Sequence, residues 1–298
     1  MRDFSADHRW LSINTATVRQ QRGVDWPLLG ILDACAERNI RAVAPWRDQV
    51  AAAGLQATAR RLQDHGMVLS GYCRGGMFTH TDAAGRQAAR DDNRRALDEA
   101  CALNAPCLVL VVGGLPGALA GQAAHRDIAG ARAQVADGVA TLLADARQRG
   151  MPLAIEPLHP MYAADRACIN TLEQALDLCD ALDPARSGAL GVAVDVYHLW
   201  WDPKLQQQIA RAGPGADGQG SRLLALHVCD WLTPTTDLLN DRGMMGDGVI
   251  DIPRIRGWVE AQGYAGYSEV EIFSKHGWWQ RDGREVLDTC IKRHRDCV

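Results

Sequence analysis

Residues 191–203 read GVAVDVYHLWWDP, and this stretch decides the fold. It opens as a buried strand, because Val192, Ala193 and Val194 form an apolar run with β-branched members. It then sets the ionisable Asp195 where that strand should end, with His198 three residues further on. Burying a carboxylate directly behind such a run is costly unless something pairs with it. Taken alone, the stretch reads equally well in two ways. Asp195 caps the next turn and His198 is a satisfied core histidine, or both reach one functional pocket. Three more strand ends along the chain look alike, and they favour the pocket.

Working outward, short apolar runs alternate with amphipathic stretches at helical spacing. Strands are expected at 11–18, 42–44, 67–72, 107–112, 153–156, 189–194, 223–228 and 267–273. Helices are expected at 26–38, 51–65, 82–103, 126–149, 171–182, 203–212, 251–262 and 285–294. Gly66 and Gly150 follow two of these helices as C-terminal glycines. Asp251 reads as an N-cap, with Pro253 tolerated in the first turn behind it. Strands separated by helices must run parallel, and eight such units close naturally into an α/β (β/α)8 TIM barrel. One domain over residues 1–298 is expected, since no linker divides the chain. A doubly wound open sheet is the competitor; the first strand is followed by no GxGxxG, which weakens its dinucleotide-binding form. The glycine-rich stretch 213–220 reads as a surface loop.

Composition narrows the function. The chain has 298 residues, 47% of them hydrophobic, enough for a large core. A formal net charge of −4 without basic runs argues against nucleic-acid or membrane-surface partners. The nine cysteines form no CxxC pair and read as reduced cytosolic thiols. The charged N-terminus resembles no signal peptide, and no apolar run approaches the ~20 residues that span a bilayer. A cytoplasmic location is expected.

The last four strands end in IEPLHP, VDVYHLWWDP, LHVCDW and SEVEIFS. Glu156, Asp195, His227 and Glu271 follow one another at separations of 39, 32 and 44 residues, about one βα unit each. Barrel strands converge at their C-terminal ends, so three carboxylates and an imidazole would aim at one point. Like charges in a dry pocket raise one another's pKa, and a divalent cation removes that difficulty. An O/O/O/N set favours Mn2+ or Mg2+, with Co2+, Fe2+ and Zn2+ also compatible. Glu269 and Glu271 share one side of the eighth strand. Glu271, nearer its C-terminal end, is assigned to the metal, and Glu269 one layer deeper.

These segments, with DRGMMGDGVIDI and GYAGYSEVEIFS, resemble the xylose isomerase-like TIM-barrel superfamily, in particular its sugar phosphate isomerase/epimerase group. The resemblance runs from Ile155 to Ser274. It implies one divalent ion on Glu156, Asp195, His227 and Glu271, with Glu156 and Glu271 as the acid–base pair. It implies that His198 and Arg242 bind substrate oxygens, Arg242 on a mobile glycine-rich loop. The family often carries Asn three residues after the first glutamate; this chain carries His159, placed with the substrate-binding residues. Trp46, Trp200, Trp201 and Trp231 are expected near the pocket mouth. The expected activity is isomerisation or epimerisation of a ketose or keto-sugar through an enediolate. The alternatives are a lyase acting on a keto-inositol or 3-keto-glycoside, an AP endonuclease-like enzyme, and a non-catalytic sugar-binding barrel. The expected partners are a small carbohydrate and further copies of the chain, as a homodimer or homotetramer.

Overall fold

The computed structural model describes residues 1–122, 125–215 and 219–298. Residues 216–218, in the middle of the expected 213–220 loop, lie outside the described residues. Eight parallel staves form the barrel. They are β1 (Leu11–Asn14), β2 (Ala42–Ala44), β3 (segments Val68–Leu69 and Tyr72–Gly76), β4 (Leu108–Val111), β5 (Leu153–Ile155), β6 (Leu190–Asp195), β7 (Leu223–Val228) and β8 (Ser268–Val270). Each pairs in parallel with its neighbours, and β8 pairs with β1. The first segment of β3 pairs with β2 and the second with β4, which closes the ring.

The helices are α1 (Leu28–Ala36), α2 (Arg47–Ala53), α3 (Leu55–Asp64), α4 (Ala83–Ala102), α5 (Ile128–Arg149), α6 (Leu172–Leu182), α7 (Val196–Leu199), α8 (Leu205–Ala212), α9 (Ile252–Ala261) and α10 (Gly283–Cys297). Side chains start several of them by accepting a backbone N–H: Asp82 for α4, Asp127 for α5, Thr171 for α6, Asp251 for α9 and Asp282 for α10. No helix among the described residues is long and apolar enough to cross a membrane.

Four expected boundaries move, each for a local reason. The first strand stops at Asn14, whose Oδ1 accepts from the Ala16 N–H and turns Thr15–Val18 into a 3-10 helix. The expected helix 51–65 is two helices, because Gly54 sits at φ +89°, a conformation that ends α2 and opens α3. The third strand runs on through the glycines to Gly76, where the Asn93 side chain bonds both the N–H and the C=O of Gly76. The eighth strand ends at Val270, and the Ile272 N–H turns to the Thr17 hydroxyl.

Stave residues alternate between two environments. Outward side chains such as Ile155, Val192, Val194 and Val228 join the large core beneath the helices. Ala154, Ala193 and Ala225 belong to a second, smaller cluster with Cys73, Cys107 and Val109. Each of these alanines stands two residues before Glu156, Asp195 or His227, so both members of each pair face the barrel interior. The small methyl layer leaves room above it for polar side chains.

Candidate active site

The C-terminal ends of β5 to β8 deliver the four candidate ligands. Glu156 follows β5, Asp195 ends β6, His227 lies near the end of β7, and Glu271 follows β8. One donor atom from each falls within 4.8 Å of every other. All four are buried, Asp195 and His227 at 0% exposure. Asp195 also caps α7 by accepting the Tyr197 N–H at 2.8 Å, so the capping role read from its sequence and the convergence hold together.

The imidazole of His227 divides the site. Its Nδ1 lies 2.8 Å from Oε1 of Glu156 and 3.9 Å from Oε2 of Glu271. Its Nε2 points the other way, to Oε1 of Glu269 at 3.5 Å, without a hydrogen bond among the described residues. Burial opposes a charge on this ring, but the carboxylates of Glu269, Glu156 and Glu271 outweigh it and hold His227 well above the usual histidine range. Glu269 is the deeper carboxylate expected from strand parity. It accepts from Asn14 Nδ2 at 2.8 Å and from the Ser70 hydroxyl at 2.7 Å.

Arg242 threads between two members of the set. Its Nη1 lies 3.2 Å from Oδ2 of Asp195 and 3.1 Å from Oε2 of Glu271. Its guanidinium stacks 4.4 Å from the centre of the Tyr197 ring. The loop that carries it is anchored rather than free. Asp230 accepts backbone N–H bonds from Gly246 and Gly248 at 2.9 Å and from Ile250 at 3.0 Å, and the Arg242 N–H bonds to Phe273 O. Burial pushes the Asp195 carboxyl up to about 6 against the pull of Arg242. Burial likewise raises Glu271; Arg242 opposes the rise and Glu156 adds to it.

His198 is buried, with Nε2 3.1 Å from Nη2 of Arg242. A guanidinium only donates, so Nε2 accepts and the proton sits on Nδ1. Burial, and then the Arg242 charge, hold His198 well below the usual range and therefore neutral. Its Nδ1 has no partner among the described residues. Trp46 lines the cavity with Glu156, His198, Arg242, Glu271 and Phe273, and its Nε1 donates to Asn14 Oδ1 at 2.7 Å. The cavity volume is ≈ 50 Å³. A larger groove of ≈ 460 Å³ beside α1 and α2 shares no residue with the ligand set.

His159 lies apart from this lining. It caps the 3-10 turn Pro160–Tyr162 through Nδ1, and its ring packs 4.8 Å from that of Trp231. Leu158 and Tyr162 line the cavity instead. Trp201 donates to the His198 carbonyl, and Trp200 packs against Trp231. Sequence reasoning passed over Asn14, Ser70, Arg74, Tyr162 and Arg166. Asn14 bridges Glu269 and Glu271 and hardly differs in sequence from a turn residue.

The set suits a divalent ion on its own chemistry. Three carboxylates stand against one guanidinium, the ligand atoms are clustered, and the Nε2 of the histidine is backed by a carboxylate. The model of the xylose isomerase-like TIM barrel family matches residues 32–290. A crystal structure of a protein from Sinorhizobium meliloti 1021 is 54% identical, covers 97% of this chain and 98% of its own, and superposes with a TM-score of 0.89. The IolI protein with a bound zinc atom is 18% identical over 96% of both chains, at 0.77. The apo 3-keto-D-glucoside 4-epimerase YcjR of E. coli is 16% identical over 97% of this chain and 99% of its own, at 0.71. At such identities the last two likenesses show the fold alone. No curated protein sequence matches the chain.

Proposed function

The chain belongs to the xylose isomerase-like TIM barrel family, and from that premise we propose a divalent-metal-dependent isomerase or epimerase acting on a ketose or keto-sugar. The observation that carries this reading is the convergence of Glu156, Asp195, His227 and Glu271 within 4.8 Å at the C-terminal end of the barrel. Glu156, Asp195, Nδ1 of His227 and Glu271 would hold the ion, Mn2+ or Mg2+ by donor hardness. When bound, it supplies Lewis-acid polarisation of the substrate carbonyl. The zinc in IolI and the epimerase activity named for YcjR belong to those proteins, and both are compatible with this reading.

The chain's own groups do the rest. Glu156 and Glu271 approach the cavity from different staves, so one can remove the proton α to the carbonyl while the other returns one. Asn14 and Arg242 occupy the two oxygens of Glu271 and fix its orientation, whereas among the described residues only Oε1 of Glu156 is taken, by His227. Neutral His198 lines the cavity beside Arg242 and is assigned to a substrate oxygen. Trp46 and Phe273 cover the apolar edge of the cavity and exclude water.

Solvent-deuterium incorporation tests the reading. A panel of ketoses and 3-keto-glycosides with the Mn2+-loaded protein in D2O should yield one substrate that gains deuterium without losing water. Glu271→Gln should abolish the exchange. Exchange that survives both chelator and Glu271→Gln would refute the mechanism, and a product lighter by one water would mark a dehydratase instead.

A further inference from the structure

Three arginines face the cavity: Arg74, Arg166 and Arg242. Arg242 is committed to Asp195 and Glu271. The other two are not so matched. Arg74 lies on β3, half-buried, and among the described residues its guanidinium has neither an ion pair nor a hydrogen bond. Arg166 sits on the loop after β5, which pairs with the end of β4 through Gly113 and Ala167. Its one carboxylate partner among the described residues is the adjacent Asp165, at 4.0 Å.

Of the carboxylate oxygens around them, Oδ1 of Asp165 and Oε2 of Glu156 have no hydrogen bond among the described residues, and the rest are engaged elsewhere. Asp92, in the groove next to Arg74, is held by Arg47 and Arg95. Glu156 and Glu271 engage His227 and Arg242. Burial, and then the Arg166 charge, push Arg74 below the ordinary guanidinium value, against a smaller pull from Glu156. Two guanidinium groups beside one small cavity favour an anion that both can reach. A guanidinium fork fits a carboxylate or a phosphate with two parallel hydrogen bonds.

We propose that Arg74 and Arg166 form an anion subsite on the β3–β4 side of the cavity, so that the substrate is a polyhydroxy ketone carrying a carboxylate or a phosphate. The ketone lies at the Glu156–Glu271 end and the anionic group at the arginines. The substrate class rests on the keto-sugar reading above; the anion subsite itself does not.

The test is calorimetric titration of the full-length, Mn2+-loaded protein with D-fructose, 5-keto-D-gluconate and D-fructose 6-phosphate. At least one anionic probe should bind about ten- to a hundredfold more tightly than fructose, the range for hydrogen bonds to charged groups. Preference for the gluconate names a carboxylate, preference for the fructose phosphate names a phosphate, and either supports the subsite. Arg74→Gln and Arg166→Gln should each reduce the preference without changing Mn2+ affinity, and Arg74→Lys should keep part of it. Equal binding of all three probes, or a preference that survives the double Gln variant, would overturn the proposal. A parallel titration with Mn2+ alone reports on the metal reading separately. If that fails while an Arg74-dependent preference for an anion persists, the metal reading falls and the subsite stands.

Discussion

Oε1 of Glu269 lies 3.5 Å from Nε2 of His227, on the side of the ring away from the ligand set. The same ring turns Nδ1 to Glu156 at 2.8 Å. With an ion on Nδ1 the one remaining ring proton sits on Nε2, facing a carboxylate that Asn14 and Ser70 already orient. A carboxylate behind a ligating histidine fixes its tautomer and raises its basicity.

Glu269→Gln should therefore weaken Mn2+ binding by about 10–100-fold while leaving the fold intact. Calorimetric titration and circular dichroism of the variant measure the two effects. Unchanged affinity would show that Glu269 has no part in presenting His227.

Arg242→Ala should destabilise the metal-free protein by about 3–5 kcal/mol, because it leaves Asp195 and Glu271 as buried carboxylates without their counter-charge. Saturating Mn2+ should recover part of the loss by replacing that charge. Urea unfolding with and without Mn2+ gives both values. A loss equal in the two conditions would mean that Arg242 and the ion do not share the same carboxylates.

The pH dependence has a defined sign. Burial raises Asp195 to about 6, so between its ordinary value near 4 and about 6 the folded state binds the extra proton and stability falls as pH rises. Asp195→Asn removes this fall. The metal-free variant should gain on the wild type by on the order of 3 kcal/mol between about pH 4 and pH 7. His227, raised above its ordinary value, acts in the same direction at higher pH: its contribution is complete below the ordinary value and is lost as pH passes the raised one. Its proton must leave before Nδ1 can ligate, so Mn2+ affinity should climb with pH. Unfolding curves and Mn2+ titrations across this range test both slopes.

Asp230→Asn should loosen the loop that carries Arg242. An amide nitrogen cannot accept the N–H groups of Gly246 and Gly248 that now converge on Oδ2. A cost of about 1–3 kcal/mol is expected for the lost charge-assisted bonds, with faster proteolysis near residue 242. A variant as stable and as protease-resistant as the wild type would show that the anchor lies elsewhere.

The barrel and the convergence of four polar side chains on one end of it were legible because both depend on periodicity. Strand runs recur with helices between them, and Glu156, Asp195, His227 and Glu271 fall one per unit. Strand parity also separated Glu271 from Glu269. Boundaries were less legible where one residue overrides the pattern, as at Asn14, Gly54 and the Gly75–Gly76 pair pinned by Asn93. Arg74 was hidden because that glycine-rich segment reads as loop, although it pairs with β4 on either side of a register shift at Arg74. The anchoring of Arg242 is a property of three-dimensional closure. Nothing in DRGMMGDG reveals that Asp230 gathers its amides. His159 has the spacing of a site residue but turns to Trp231, a choice made by packing.

Anomalous scattering from Mn2+-soaked crystals tests the central claim most directly. One peak per chain is predicted, within bonding distance of Glu156, Asp195, Glu271 and specifically Nδ1 of His227. A peak elsewhere, or none at saturating Mn2+, would contradict the account.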